Sequence, residues 1–169
     1  MLSKPLLQFD FNSPIGVVRI TGDDELIHGI EFLDSDNCTA KSESPAIEKC
    51  IRQLDEYCSG SRKEFSVPVK LDGSDFQKRI WNLLMKIPYG QTISYLELAV
   101  RAGNRNVIRA AGHANGANKL PIIIPCHRVI GSNGNLIGYA GGLWRKEWLL
   151  RLERNESQPE LFAEAQFFK

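Results

Sequence analysis

Cys126, His127 and Arg128 set a thiol, an imidazole and a guanidinium side by side, directly after the apolar run Ile122-Ile123-Ile124 and Pro125. The chemistry open to that set is nucleophilic. Thiolate, not thiol, attacks, and a neighbouring imidazole or cation lowers a cysteine pKa from its free value of about 8.5. Pro125 fixes φ and removes a backbone donor, so the chain enters Cys126 in a set direction. The plain alternative is a buried core cysteine followed by two surface polar residues, since free cysteine is among the most buried residue types. The surroundings favour the nucleophile. Sequence neighbours point apart on a helix or strand, so a bridging water, rather than direct contact, is the expected link between Cys126 and His127. A base needs an orienting third group. Glu153 is the acidic candidate, because residues 76–154 hold only 3 Asp/Glu; the alternative is an ordinary exposed helix residue. Asn118, in Ala117-Asn118-Lys119, can bridge a turn through its side chain. The glycine-rich stretch Gly138-Tyr139-Ala140-Gly141-Gly142 suits a pocket wall, or else a simple connector.

The elements that must position these groups are well punctuated. Ile15–Ile20 and Leu26–Phe32 are rich in β-formers and flank the turn Gly22-Asp23-Asp24-Glu25, a strand–turn–strand unit. His28 reads as an ordinary strand residue. Asp34 to Ser44 is polar and reads as a loop. Ser44 is placed as an N-cap with Pro45 at the first helical position, and Ala46, Ile47, Cys50, Ile51, Leu54 and Cys58 follow with helical spacing. That stripe accounts for Cys50 and Cys58 as core thiols. Phe65 to Leu71 is a further strand candidate, and Asp72-Gly73 breaks the chain.

Beyond the break the chain reads as helical. Ser74 with Gln77 and Ser94 with Glu97 are capping-box pairs. Ala102-Gly103-Asn104 is a tight turn with Asn104 as N-cap, before a helix from about Arg105 to Asn115. Two short helices joined by such a turn read as helix-turn-helix, or as a small pair packed on a core. Arg101, Arg105 and Arg109 surround the pair, and Ala110, Ala111, Gly112 and Ala114 keep the second helix slim enough to approach a DNA groove. A last helix runs from Leu143 to about Glu153. The tail Leu161 to Phe168 has no assigned role.

At 169 residues the chain suits one domain or two small ones. No stretch approaches the roughly 20 apolar residues of a membrane span. Met1-Leu2-Ser3-Lys4-Pro5 lacks the apolar core of a signal peptide. The four cysteines, Cys38, Cys50, Cys58 and Cys126, form no disulfide framework or metal-ligand spacing. Reduced thiols in the cytoplasm, no membrane and no metal are the expectation. The net charge of +1 is unevenly spread. Residues 1–75 carry 8 Lys/Arg and 14 Asp/Glu, net −6, whereas residues 76–154 carry 12 Lys/Arg and 3 Asp/Glu, net +9. A polyanion is expected to meet the second half; two halves attracting each other is the alternative. The domain boundary is placed at 73/74, where the charge changes sign.

Ile-Pro-Cys-His-Arg-Val at 124–129, with Ile93-Ser94-Tyr95, Arg109-Ala110-Ala111-Gly112, Gly138-Tyr139-Ala140-Gly141-Gly142 and Lys146-Glu147-Trp148-Leu149-Leu150, resembles the O6-alkylguanine-DNA alkyltransferase family, most of all the bacterial methylated-DNA–protein-cysteine methyltransferases. The likeness covers about residues 74–154 in order and spacing; the chain before 74 resembles the family only in length and strand-rich layout. It implies an α+β fold: an N-terminal α/β (ribonuclease H-like) domain over 1–73, and a C-terminal helical, winged-helix-like alkyltransferase domain with a helix-turn-helix over 74–169. It implies a monomer that binds double-stranded DNA containing O6-alkylguanine, and O4-alkylthymine, and flips the damaged nucleotide out of the stack. By the same likeness Cys126 is the nucleophile that takes the alkyl group irreversibly, once per molecule and with no cofactor. His127 is its base through a water, Glu153 orients His127, and Asn118 holds the turn. Tyr95 donates a hydrogen bond to the base. Arg109 fills the vacated space, and Asn104 and Ser132 meet phosphates. Tyr139, Ala140 and Pro125 line the substrate pocket.

Three departures stand out. His113-Ala114-Asn115-Gly116 lacks an Arg that some members carry, Ala140 replaces a hydroxyl residue of some relatives, and the zinc ligands of some animal members are absent. Two rival readings use the same residues. A cysteine hydrolase needs an oxyanion hole and turnover. An alkylation-sensing DNA-binding protein would bind damage and keep Cys126 free.

Overall fold

The computed structural model describes residues 6–34 and 44–156. Residues 35–43 of the loop expected from Asp34 to Ser44, with Cys38, and the tail Leu161 to Phe168 lie outside the described residues, as do Met1 to Pro5. The first half is an antiparallel sheet of order β1-β2-β3 with one helix: β1 Leu7–Ser13, β2 Gly16–Gly22, β3 Ile27–Leu33 and α1 Pro45–Cys58. β1 was not foreseen. Its Phe9 and Phe11 alternate with Gln8, Asp10 and Asn12, the period-2 signature of a half-buried strand. The buried member of β1 is Asp10, 3% exposed, because Arg19 directly across on β2 grips both its carboxylate oxygens at 2.8 and 2.9 Å. His28 shares a hydrogen bond of 2.8 Å with Asp23 in the β2–β3 turn.

Ser44 caps α1 through Ile47 N, with Pro45 at the first turn, as the spacing predicted. The face turned inward is Ala46, Ile47, Cys50, Leu54 and Tyr57. Cys58 is only half-buried; Tyr57 takes the inward place. The strand expected over 65–71 does not form. Val69 makes one isolated bridge to Ile27, flanked by Ile27 N donating to Pro68 O and Lys70 N donating to Ile27 O. Pro68 has no N–H to extend a ladder.

The second half holds α2 Asp75–Leu84, β4 Ile93–Ser94, α3 Tyr95–Arg101, a 3-10 turn Arg105–Val107, α4 Ile108–Gly116, a 3-10 turn Cys126–Arg128, β5 Val129–Ile130 and α5 Leu143–Glu153. The Ser74/Gln77 capping box is fully formed. The Ser94/Glu97 one is half formed: Ser94 accepts from Glu97 N, but the Glu97 carboxylate turns to Arg101 one helical turn on. Asn104 caps as predicted, yet it opens a 3-10 turn, and α-helix begins only at Ile108. Trp81 Nε1 donates to Ala114 O at 2.8 Å and ties α2 to α4. One apolar cluster runs through both halves, from Ile15, Val18 and Ile20 through Ile47 and Leu54 to Ile80, Leu98, Val129 and Leu149. The parallel pairing of β4 with β5 has a direct consequence for the site. Ile93 meets Val129 and Ser94 meets Ile130, so Tyr95 begins α3 beside the turn that carries Cys126.

Candidate active site

The turn that presents Cys126 is fixed from within. Asn118 Nδ2 donates to Ile124 O at 2.8 Å, and Asn118 Oδ1 accepts from Leu120 N at 2.9 Å. Ile124 N closes the loop onto Leu120 O at 2.9 Å. Inside this loop Ile122, buried at 2%, sits at φ 74°, a left-handed conformation that costs a β-branched residue energy. Asn118 is therefore placed to hold the turn. Pro125 precedes the 3-10 turn with φ −78°, and Cys126 N donates back to Ile124 O at 2.7 Å.

Cys126 and His127 point apart, as neighbours on a turn do. No hydrogen bond among the described residues joins the Cys126 thiol to the His127 imidazole, whose Nδ1 is buried without a partner; it is the His127 backbone N–H that reaches the thiol. His127 Nε2 lies 2.8 Å from Glu153 Oε1. Since Glu153 is acceptor-only, Nε2 carries the proton and Nδ1 is left as the acceptor. Glu153 also accepts from Arg128 Nη2 at 2.8 Å and Nε at 2.9 Å, from Tyr57 Oη at 2.6 Å and from Gly90 N at 3.0 Å. Gly90 has φ 78°, and a Cβ there would stand 3.1 Å from Glu153 O, so only glycine lets this backbone approach. Arg128 Nη1 donates to Ile87 O at 2.6 Å. The alternative of two surface polar residues after Cys126 does not describe the turn: His127 is 0% exposed and Arg128 7%.

The electrostatics follow from that burial. Desolvation alone would push the Glu153 carboxyl up, but hydrogen bonds and charge from His127 and Arg128 outweigh it and hold it well below the usual carboxylate range. Burial lowers His127, Glu153 pulls it up, and Arg128 and Lys146 press it down again; the net is downward. His127 is thus neutral at pH 7, and Arg128 is the standing counter-ion of Glu153. The thiol corrects a sequence expectation. Burial pushes Cys126 up to about 11, although Asn118 and Lys146 pull the other way. The neighbouring guanidinium does not activate it, because Arg128 is spent on Glu153. Cys126 is a thiol at rest.

Lys146, from α5, was missed as a functional residue. It is 0% exposed, its Nζ donates to Ile137 O at 2.7 Å, and it lies 5.8 Å from the centre of the Tyr95 ring. Burial brings its pKa down to about 8, while Cys126 pulls it up. Tyr95 Oη is 3.3 Å from the carbonyls of both Ile137 and Gly138. The helical spacing of Lys146, Leu149, Leu150 and Glu153 was a readable signal, since it puts an ammonium and a carboxylate on one inward face.

A cavity of about 270 Å³ opens on Cys126, lined also by Phe32, Asn115, Asn118 and Gly138 to Gly141. Tyr139 and Ala140 line this cavity. Pro125 does not; Pro121 lines the cavity, and Pro125 serves the turn. Tyr139 Oη and Asn115 Oδ1 are buried without partners there. The first half contributes Phe32, whose ring lies 6.2 Å from that of Tyr139. Arg145 fastens the two halves, donating to Ile15 O and Gly141 O at 2.8 Å each and lying over the Phe32 ring at 5.0 Å. Arg109 and Asn104 are exposed at the start of α4 and the turn before it, and Ser132 is exposed after β5. These three are not drawn into the buried network. Among the described residues no group of three or more His, Cys, Asp or Glu is placed to hold a metal, and no helix is long and apolar enough to cross a membrane.

The comparisons with known proteins agree with this geometry. The methylated-DNA–protein-cysteine methyltransferase of Mycolicibacterium paratuberculosis is 43% identical over 154 residues, covering 89% of this chain and 93% of that protein. The enzyme of the same name from Methanosarcina acetivorans is 44% identical over 151 residues, covering 85% and 95%. The crystal structure of Mycobacterium tuberculosis OGT in complex with DNA superposes with a TM-score of 0.80 at 40% identity, over 90% of this chain and 95% of that one. The family model for the DNA binding domain of 6-O-methylguanine DNA methyltransferase matches residues 75–155, and that for its ribonuclease-like domain matches residues 10–71. With a buried thiol at a cavity, and on the next residue a neutral imidazole held by a buried carboxylate, in a fold that two family models match over most of its length, the chain belongs to the 6-O-methylguanine DNA methyltransferase family.

Proposed function

We propose that this protein repairs double-stranded DNA by moving the alkyl group of O6-alkylguanine, and of O4-alkylthymine, onto its own Cys126, once per molecule. The observation that carries this reading is the buried thiol at the cavity, with an unpartnered imidazole nitrogen on the residue beside it. His127 Nδ1 accepts the thiol proton through a bridging water, and Glu153 steadies the imidazolium that forms. The thiolate attacks the alkyl carbon, the carbon–oxygen bond breaks, and its electron pair leaves on the purine. The Tyr95 hydroxyl donates to the departing base. The product is a thioether, which nothing nearby reverses, so no cofactor and no turnover are involved.

Cys126 is 5% exposed, so a base inside the duplex stack cannot reach it. The damaged nucleotide is flipped into the cavity, at the cost of its stacking and pairing. Arg109, at the exposed start of α4, fills the gap, and Asn104 and Ser132 meet the phosphates. The protein works as a monomer in the cytoplasm, and its two functional units divide at 73/74. The cysteine hydrolase reading is disfavoured because the Cys126 N–H, a donor such an enzyme would aim at an oxyanion, is already spent on Ile124 O.

Intact-protein mass spectrometry after incubation with a duplex holding one O6-methylguanine tests the proposal. One added methyl group per chain, mapped to Cys126, is expected. Binding without any mass change would replace it with the damage-sensing reading.

A further inference from the structure

We infer that Tyr57, on α1 of the N-terminal half, is a positioning residue of the transfer reaction: its hydroxyl sets how strongly Glu153 holds His127. This rests on the reading of His127 as the base. Tyr57 is 0% exposed, and its hydroxyl donates to Glu153 Oε1 at 2.6 Å, the oxygen that also accepts from His127 Nε2. The same hydroxyl is 3.4 Å from His127 Nε2. Its one proton goes to the carboxylate, because Nε2 already carries a proton of its own. Burying a phenol among apolar residues costs free energy unless the hydroxyl is satisfied, and a Phe would fill the same space. The ring is set by Phe65 at 5.3 Å and by Tyr89, edge-on at 6.0 Å. The hydroxyl is therefore aimed, and it is aimed at the site.

The consequence follows from charge. Each donor on Oε1 withdraws charge from the carboxylate and weakens its pull on a protonated imidazole. With the Tyr57 donor gone, Glu153 holds the imidazolium more tightly, and His127 gives up its proton only at higher pH. The base is then protonated, and so disabled, over a wider acid range. The charged and titratable groups around His127 are Glu153 and Lys146 from α5, Cys126 and Arg128 from its own turn, and Tyr57 from α1; Tyr89 faces Glu153 and Arg128 from the turn after α2. Of these, Tyr57 is the group that the first half of the chain supplies. The N-terminal half thereby tunes the chemistry rather than only supporting it.

The test uses the full chain with Tyr57→Phe. The ring resonances of its three histidines, His28, His113 and His127, are followed by NMR through a pH titration. Single-turnover methyl transfer from a duplex with one O6-methylguanine is measured over the same range. The expected result is an upward move of the His127 titration and of the acid limb of the rate profile together. That lowers the rate at a fixed acidic pH by about three- to tenfold, while the high-pH plateau does not fall. In the unmodified protein, a slowly exchanging Tyr57 hydroxyl proton close in space to the His127 ring is expected, which requires no variant. An unmoved His127 titration in Tyr57→Phe, or no such proton in the parent, overturns the inference. Failure of the underlying reading looks different: His127→Asn would then transfer methyl at the parental rate, while Tyr57→Phe in a chain that keeps His127 still moved the His127 titration.

Discussion

Glu153→Gln is the most informative single change, because it swaps one oxygen for an amide and disturbs hydrogen bonds from four residues at once. The carboxylate is 0% exposed and faces an Arg128 side chain that is 8% exposed. Its two oxygens accept from Arg128, His127, Tyr57 and Gly90 N. A glutamine keeps one acceptor and turns an NH₂ towards donors, which strands the Arg128 charge without a counter-ion. Breaking a buried pair by removing one partner costs about 3–5 kcal/mol. For a domain of this size each kcal/mol moves the melting temperature by about 2–4 °C, so a fall of roughly 6–20 °C is expected near pH 7. The pH dependence has a fixed sign. The Glu153 carboxyl is lowered on folding from its ordinary 4.5, so its stabilisation is present above that pH and is lost as pH falls towards the folded value. His127 is also lowered, from 6.5, so its neutral buried form loses ground to the unfolded chain as pH falls below 6.5. In the variant His127 loses the carboxylate that was holding it up, and the loss below 6.5 steepens. Melting curves between pH 4 and 8 should therefore show a gap that widens below 6.5, and that the Glu153 contribution closes again below about 4.5. A variant within 2 °C of the parent at pH 7 would mean Arg128 is not paired as described, and would refute the account of the site.

Three further perturbations separate the roles of neighbouring groups. Lys146→Met should push the Cys126 thiol higher still, and iodoacetamide modification at pH 7 should slow several-fold; because burial brings the Lys146 pKa to about 8, the difference from the parent should fade as pH rises above that value. Asn118→Ala removes both bonds that brace the turn around the strained Ile122 and should destabilise by about 1–3 kcal/mol, with slower transfer at unchanged DNA affinity; an unaltered transfer rate would assign the turn's rigidity elsewhere. Arg109→Ala, at an exposed position, should change stability by no more than about 0.5 kcal/mol yet reduce repair of duplex more than of single-stranded substrate; equal losses on both would deny it a part in base flipping.

Local sequence patterns located most of the second half. Caps at Ser74, Ser94 and Asn104 act through side chain to nearby backbone, so their signal lies within three residues and was legible. The half-formed box at Ser94 was not, because whether Glu97 reaches back to the cap or forward to Arg101 is settled by side-chain competition. The strand reading over 65–71 rested on β-propensity, which describes a fit to a half-buried pleat; only Val69 meets one. β1 carried a period-2 pattern, but its buried residue is an aspartate, explicable only once Arg19 is known to lie across from it. Cys126, His127, Glu153 and Asn118 were found through motif and turn chemistry. Tyr57 and Gly90 were not, because their relation to Glu153 spans 96 and 63 residues and exists only after the halves pack.

If Cys126 is the nucleophile, as proposed, the same packing explains how it can be both powerful and safe. With its pKa pushed to about 11, Cys126 has roughly one molecule in ten thousand as thiolate at pH 7, so small electrophiles find little to attack. Ordinary activation by a neighbouring cation would remove that protection, and here the guanidinium next in sequence is committed to Glu153 instead. On the proposed reading, reactivity is supplied at the moment of reaction, by a neutral His127 that can accept the proton because Glu153 is there to hold the resulting charge. A catalyst with many turnovers would lose rate to such a buried, protonated resting state. A protein that spends its thiol once loses little by waiting, and gains by not spending it on the wrong alkyl donor.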